Sequence, residues 1–122
     1  MLMTKEQFKK ELTEFDDYMM ANHNMKSEFF RYPNGEFSEK TLKMIKDMGY
    51  KTVFWSLAYK DWEKDVVKGT DYAIDEVVNH IHNGAIILLH AVSKDNAEAL
   101  SDIIDSLSSE GYTFESVKNL AF

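Results

Sequence analysis

The chain has no cysteine, which excludes disulfide bridges, zinc–thiolate centres and thiol nucleophiles from its chemistry. One proline and five glycines among 122 residues are too few for a disordered or linker-rich protein. No apolar run approaches the ~20 residues that span a membrane. The first residues also lack the basic segment and long apolar core of a secretory signal. The sequence therefore predicts a globular protein with no membrane span and no visible export signal.

Positive charge is also scarce, since 14 Lys and Arg residues against 21 Asp and Glu residues give a formal net charge of −7 at pH 7. Nucleic acids and anionic membranes are bound through clustered cations, so this balance disfavours both as partners. Hydrophobic residues make up 44% of the chain and charged residues 29%, as in ordinary folded proteins. A chain of this length buries roughly two thirds of its unfolded surface, so residues 1–122 are expected to form a single domain.

Four segments have apolar residues at the spacing of an amphipathic helix. The first begins at Thr4, whose spacing to Gln7 matches a capping box, and the second and fourth begin at Ser38 and Ser93. Glycines follow three of the segments, where helices are expected to end. The predicted helices cover residues 4–21, 38–49, 74–83 and 93–111.

Short aromatic and aliphatic runs alternate with these helices and are typical of strands. The predicted strands cover residues 29–30, 52–55, 85–89 and 112–114. Alternation of helices and strands implies parallel pairing through crossover connections. Because four strands cannot close a barrel on their own, the predicted fold is α/β, either a half-barrel or a small open sheet.

Polar side chains follow three of the predicted strands at their carboxyl ends. Arg31 follows the first strand, Asp61 and Trp62 lie in the loop after the second, and His90 follows the third. Loops at this end of a parallel sheet share one edge, so these side chains are expected to converge. Asp61 would then orient the imidazole of His90 and stabilise its charged form, while Arg31 would hold a carboxylate and Trp62 would wall the site. Each residue alone is also consistent with an ordinary surface or turn position, so the prediction depends on their joint placement.

The same three segments resemble the last three of five motifs in polysaccharide deacetylases, the NodB-homology enzymes of carbohydrate esterase family 4. The motifs are Arg31-x-Pro33-x-Gly35, Asp61-Trp62 and Leu88-x-His90. Residues 56–62 and 90–100 are similar to the sporulation branch, which removes N-acetyl groups from peptidoglycan muramic acid before muramic δ-lactam forms. The resemblance implies metal-dependent hydrolysis of an acetamide on a (β/α) barrel. This chain would be the C-terminal portion of such an enzyme, folded as a NodB-like half-barrel.

The resemblance also implies a role for each matching residue. His90 would protonate the leaving amine, Asp61 would tune His90, and Arg31 would orient the catalytic base. Residues implied to bind the substrate, as the acetate pocket, the groove wall and the turn beside them, are Tyr32, Pro33, Trp62 and Leu88. The implied partner is peptidoglycan or another N-acetylated glycan. Relatives of this kind act outside the membrane, so without an export signal in this chain the compartment is left open.

Two of the family's motifs are absent from this sequence. The first, similar to Thr-Phe-Asp-Asp-Gly, would supply the base and one metal ligand, and the second, similar to His-Ser/Thr-x-x-His, would supply two more. Residues 13–18 only superficially match the first motif, because Phe15 belongs to the apolar stripe of its helix and Asp16 projects away from it. His80 and His82 are two residues apart on a predicted helix and point to different faces. No metal site and no cofactor are therefore expected in this chain alone, although the family uses a divalent metal such as zinc.

Two hypotheses follow from these observations. In the first, the chain is the C-terminal part of a muramic acid de-N-acetylase and is inactive or nearly so alone, because a metal must lower the pKa of the attacking water. In the second, it is a non-catalytic α/β module that binds glycan or associates with another chain. A half-barrel exposes a sheet edge and an apolar helix face, so a homodimer or a complex with the missing N-terminal half is expected.

Overall fold

The computed structural model of the chain describes residues 3–122 and shows an α/β fold. Two short strands, Phe29–Phe30 (β1) and Lys51–Thr52 (β2), pair in parallel, with Phe29 opposite Lys51. Four α-helices are present in the described part of the chain: Lys5–His23 (α1), Glu39–Asp47 (α2), Thr70–Val78 (α3) and Lys94–Ser109 (α4). Two one-turn 3₁₀ helices lie at Pro33–Gly35 and Val117–Asn119. The predicted α/β class, with four helices and parallel strand pairing, is confirmed. No helix within residues 3–122 is long and apolar enough to cross a membrane.

The chain divides into two compact units, and the first ends at Phe54. Its helices begin where the sequence predicted, because Thr4 and Ser38 each form a capping box. The side chain of Thr4 accepts a hydrogen bond from the backbone of Gln7, whose own side chain accepts one from Thr4. Residues from α1, α2 and the segments beside the strands form the core of this unit: Phe8, Tyr32, Met44, Ile45 and Tyr50.

The inner face of α1 differs from the predicted one at its middle. Phe15 is 55% exposed, whereas Asp16 is half-buried and accepts a hydrogen bond from the hydroxyl of Tyr50. The packed face therefore follows Phe8, Leu12 and Asp16 at four-residue spacing. The expectation that Asp16 projects away from the packed side is wrong, because a tyrosine across from it supplies a donor.

The second unit, Trp55–Phe122, has its own core, formed mainly where α3 packs against α4. Ser93 caps α4, as predicted, by accepting a hydrogen bond from the backbone of Asn96. A parallel bridge joins Leu57 to Ile87, and the backbone N–H of Leu88 donates to the carbonyl of Leu57 over 2.9 Å. The buried residues of this core are Leu57, Ala73, Val77, Ala99, Ile103 and Leu107.

Apart from β1, which has its predicted bounds, the strands of the described chain are shorter than predicted. The segment 85–89 makes only the single bridge at Ile87, because the N–H of Ile86 donates to the hydroxyl of Ser56 rather than to a backbone carbonyl. Of the predicted strand 52–55, only Thr52 lies in a strand, and that strand, β2, begins one residue earlier at Lys51. The predicted strand 112–114 is absent, because the N–H of Tyr112 donates to Leu107 at the end of α4.

The third helix also ends earlier than predicted, at Val78. The carbonyl of Glu76, which a longer helix would pair with a backbone N–H, instead lies 2.7 Å from Nδ1 of His80. Consequently His80 and His82 follow the helix in a turn, and the predicted placement of the two on opposite helix faces is wrong.

Candidate active site

The bridge between Leu57 and Ile87 brings two loops of the second unit together. Because the two chain segments run parallel there, the residues that follow both of them emerge on the same side. Asp61 lies four residues after one bridge partner, and His90 lies three residues after the other. This local topology places the carboxylate beside the imidazole.

Asp61 and His90 form a closely bonded pair. Oδ1 of Asp61 lies 2.6 Å from Nδ1 of His90, and Oδ2 accepts the backbone N–H of His90 over 2.8 Å. The Asp61 side chain is fully buried, whereas that of His90 is 30% exposed. Since a carboxylate only accepts, the Nδ1 nitrogen carries the proton in this pair. The second ring nitrogen, Nε2, is left to exchange a proton with a bound molecule.

A third residue, the buried Asn96, bonds to both members of the pair and was not found from the sequence. Its Nδ2 donates to Oδ2 of Asp61 over 2.6 Å and to the carbonyl of His90 over 3.2 Å. Asn96 lies in the first turn of α4, three residues after the Ser93 cap. The sequence does carry one signal for this residue. Asn96 is an amide in the first turn of the predicted helix that begins at Ser93, only six residues after His90.

Tyr59 extends the network by donating its hydroxyl proton to Oδ1 of Asn96. Burial raises the pKa of the Tyr59 hydroxyl to about 12, and the negative charges of Asp61 and Asp95 act in the same direction. The hydroxyl is therefore a hydrogen-bond donor throughout the neutral range. Tyr59, Asn96, Asp61 and His90 thus form one continuous chain of hydrogen bonds.

The loop that carries Asp61 is pinned at its far end by Asp95. The carboxylate of this buried residue accepts the backbone N–H groups of Lys68 over 2.8 Å and of Gly69 over 3.1 Å. Gly69 precedes α3 with a φ of +96° and has no side chain with which to cap that helix. Asp95 therefore supplies the acceptor that the start of α3 lacks.

Trp62 lies at the exposed margin of the pair. Its ring meets that of His90 edge-on, with the centroids 6.1 Å apart, and the residue is 55% exposed. Lys60 and Glu63 form an exposed ion pair on either side of the Asp61–Trp62 step. The exposed indole offers an apolar surface beside the imidazole ring of His90.

The remaining predicted site residues lie in two places. Leu88 is half-buried in the second unit, two residues before His90. Arg31, Tyr32 and Pro33 belong to the first unit and follow β1 directly. The structure thus brings together His90, Asp61 and Trp62, whereas the convergence of Arg31 with them stays a prediction.

Tyr32 is the most deeply placed of these residues. It is 2% exposed, stacks on Phe54 with ring centroids 5.9 Å apart, and meets Phe30 edge-on. Its buried hydroxyl has no hydrogen-bond partner within residues 3–122. Pro33 and Arg31 on either side of it are exposed. The substrate-binding role predicted for Tyr32 is not tested by this placement.

The donors of the candidate site do not fit a zinc ion. In the described part of the chain, no group of three or more His, Cys, Asp or Glu side chains is placed to hold a metal. Both oxygens of Asp61 and Nδ1 of His90 already bond to each other or to their neighbours. A single free imidazole nitrogen is too few for the three protein ligands of a catalytic zinc site.

Comparison with known proteins gives three informative similarities. Residues 1–53 match the family model described as polysaccharide deacetylase. The chain is 52% identical over 94 residues to the peptidoglycan-N-acetylmuramic acid deacetylase PdaA of Bacillus subtilis, covering 77% of this chain and 36% of that protein. It is 44% identical over 119 residues to an uncharacterized 30.6 kDa protein of Geobacillus stearothermophilus, covering 97% of this chain and 45% of that protein.

The structural comparison agrees. The solved structure of Bacillus subtilis PdaA, a family 4 carbohydrate esterase, matches with a TM-score of 0.90 at 44% identity, over 97% of this chain and 51% of that one. These similarities confirm the resemblance that the three motifs indicated: the chain is related to the polysaccharide deacetylases of carbohydrate esterase family 4. Within that class it is similar to the muramic acid deacetylase PdaA. The chain spans about half, or less, of the length of these relatives.

Proposed function

We propose that these 122 residues are the C-terminal portion of a peptidoglycan N-acetylmuramic acid deacetylase, folded as part of a NodB-like barrel. The observation that carries the proposal is the imidazole of His90, held at Nδ1 by a buried carboxylate and placed beside an exposed tryptophan. The similarity to PdaA supports the choice of substrate class.

In this proposal His90 is the general acid of amide hydrolysis. The protonated ring donates its Nε2 proton to the amine nitrogen of the sugar as the C–N bond to the acetyl group breaks, and the neutral ring remains. The charge of Asp61 stabilises the ring while it carries that proton. The base and the metal ligands, which would activate the attacking water, would come from the two motifs that this sequence lacks. A polypeptide of these residues alone is therefore proposed to be inactive or nearly so.

The substrate roles are proposed from placement. Trp62 presents its exposed indole as a wall for the sugar, and Leu88 contributes to the acetate pocket from the segment that leads into His90. Arg31, Tyr32 and Pro33, after β1, are assigned to the base and to the substrate groove on the strength of the motif match. The buried ring of Tyr32 would act by supporting its exposed neighbours.

A reconstitution assay tests the proposal. Acetate release from N-acetylated peptidoglycan is measured with added Zn²⁺, first with this chain alone and then with the part of PdaA that carries the two missing motifs. We expect no turnover in the first case and turnover in the second. His90→Asn should lower the reconstituted rate by roughly 10²- to 10⁴-fold, the usual contribution of a general acid.

His80→Asn is the matched control, because it removes an imidazole of the same unit that lies outside the site. It should leave the reconstituted rate unchanged. Robust zinc-dependent turnover by the chain alone, or full activity of the reconstituted His90→Asn variant, would contradict the proposal.

The alternative, a glycan-binding module without catalysis, is favoured by one observation, the exposed indole of Trp62. Titration with a soluble muramic acid glycan separates the two. Binding that Trp62→Ala abolishes, together with absent turnover in every reconstitution, would establish the module and overturn the enzyme.

A further inference from the structure

The side-chain amide of Asn96 has no part in the proton transfer proposed for His90, yet both of its polar atoms make hydrogen bonds close to His90. Asn96 is 5% exposed. Its Nδ2 donates to Asp61 and to the carbonyl of His90, and its Oδ1 accepts from Tyr59. Buried polar groups of this kind are costly unless every bond is made, so the arrangement holds one geometry.

The orientation of this amide is fixed by its partners. The carboxylate of Asp61 and the carbonyl of His90 can only accept, so the NH₂ group must face them. A flipped amide would set its oxygen against two other oxygens. The Tyr59 hydroxyl then bonds to the amide from the opposite side, and since its pKa is raised to about 12 it keeps the proton that this bond requires.

Within residues 3–122, Asn96 supplies the only hydrogen bond to the Asp61 side chain that does not come from His90. The ring and the backbone N–H of His90 both bind the carboxylate, and these two donors move together. The amide comes instead from the first turn of α4, a rigid element with its own packing against the core. It therefore fixes the carboxylate relative to the helix rather than to the histidine alone.

We infer that Asn96, oriented by Tyr59, is a positioning residue that aims Oδ1 of Asp61 at Nδ1 of His90 and so keeps the exchangeable ring nitrogen at Nε2. Its benefit to catalysis rests on the function proposed above. The position of the proton on the ring does not, since it is a property of this chain by itself.

Nuclear magnetic resonance tests the inference on the isolated chain. Long-range ¹H–¹⁵N correlations distinguish a ring protonated at Nδ1 from one protonated at Nε2, and His23, His80 and His82 provide internal references. At a pH where the ring of His90 is neutral, we expect the Nδ1-protonated form to dominate. Asn96→Leu, which keeps the size of the side chain but removes the amide, should move the two nitrogen resonances of His90 towards each other, as in a mixture of forms.

Tyr59→Phe should produce a smaller shift in the same direction, because the amide stays but loses the donor that orients it. If Asn96→Leu fails to fold, Tyr59→Phe tests the inference by itself. Ile103→Val is the control, since it thins the core beneath α4 without touching the network, and it should leave the resonances in place. A folded Asn96→Leu with unchanged His90 resonances, or an Ile103→Val variant with the same shift as Tyr59→Phe, would overturn the inference whether or not the reconstituted enzyme is active.

Discussion

Tyr59 makes the stability of the chain depend on pH in the alkaline range. Its pKa is raised to about 12, mainly by burial and then by the charges of Asp61 and Asp95, whereas an exposed tyrosine titrates near ~10. Because the folded-state pKa is the higher one, the contribution of this hydroxyl is complete below about pH 10. It is lost as the pH rises towards about 12. We therefore expect the urea concentration at the midpoint of unfolding to decrease as the pH is raised from about 9 to about 11.5.

Two variants isolate this effect. In Tyr59→Phe the fall across the same pH interval should be smaller, even though the variant is less stable at neutral pH for want of the bond to Asn96. Tyr18→Phe, at a residue that is 59% exposed, should fall as the unmodified chain does. Part of the fall should remain in Tyr59→Phe, since burial and the bond to Asp16 also raise the pKa of Tyr50. An equal fall in all three proteins would contradict the prediction.

At the scale of single residues, the sequence predicted the chemical pair but not its support. Asp61 and His90 were found because each follows a predicted strand, Asp61 within the connecting loop, and because each matches a motif. Tyr59 and Asn96 were not found. An amide in a first helical turn and an aromatic residue in a loop are both common, and the bond between them depends on tertiary packing. The orientation predicted for Asp16 was wrong for the same reason, because its hydrogen-bond partner Tyr50 is 34 residues away in sequence.

Among the elements, the start of α3 depends on a residue of α4. Asp95→Ala removes the acceptor of the Lys68 and Gly69 backbone N–H groups and leaves both without their partner. We expect a loss of about 2 kcal/mol in unfolding free energy, typical of buried donors deprived of their acceptor. Hydrogen exchange should accelerate at these two amides more than in the body of α4.

Asp102→Ala is the matched control, because Asp102 is an exposed acidic residue of the same helix. It should change stability by less than about 0.5 kcal/mol and leave exchange at Gly69 unaltered. Equal acceleration throughout the second unit would show global loosening rather than release of one loop, contrary to the prediction.

Helices were predicted better than strands, and the reason is physical. The starts of α1, α2 and α4 are encoded within four residues by Thr4, Ser38 and Ser93, whose side chains make the capping bonds themselves. A strand is defined by a partner distant in sequence. The apolar run at 85–89 is only half-buried, with Ile87 and Leu89 packed against the core of the second unit. Its strand pairing was predicted too long, since the Ser56 hydroxyl takes one of the N–H groups.

For the molecule as a whole, self-association stays a prediction. Large apolar side chains are exposed in both units, among them Phe15 at 55% and Phe114 at 51%. We expect the sedimentation coefficient of the isolated chain to rise with protein concentration as dimers form. Contacts between apolar surfaces are not screened by salt, and salt weakens the repulsion between chains of charge −7, so added salt should preserve or increase the dimer. A monomer at every concentration would contradict this.

The edge-on contact between Trp62 and His90 gives the chain an optical reporter of its own chemistry. The protein contains two tryptophans, and one of them touches the imidazole proposed to deliver the proton. A molecule that binds against this imidazole will also lie beside the exposed indole. Fluorescence of the unlabelled protein will therefore report occupancy of the site, and it will do so without a label or a second polypeptide.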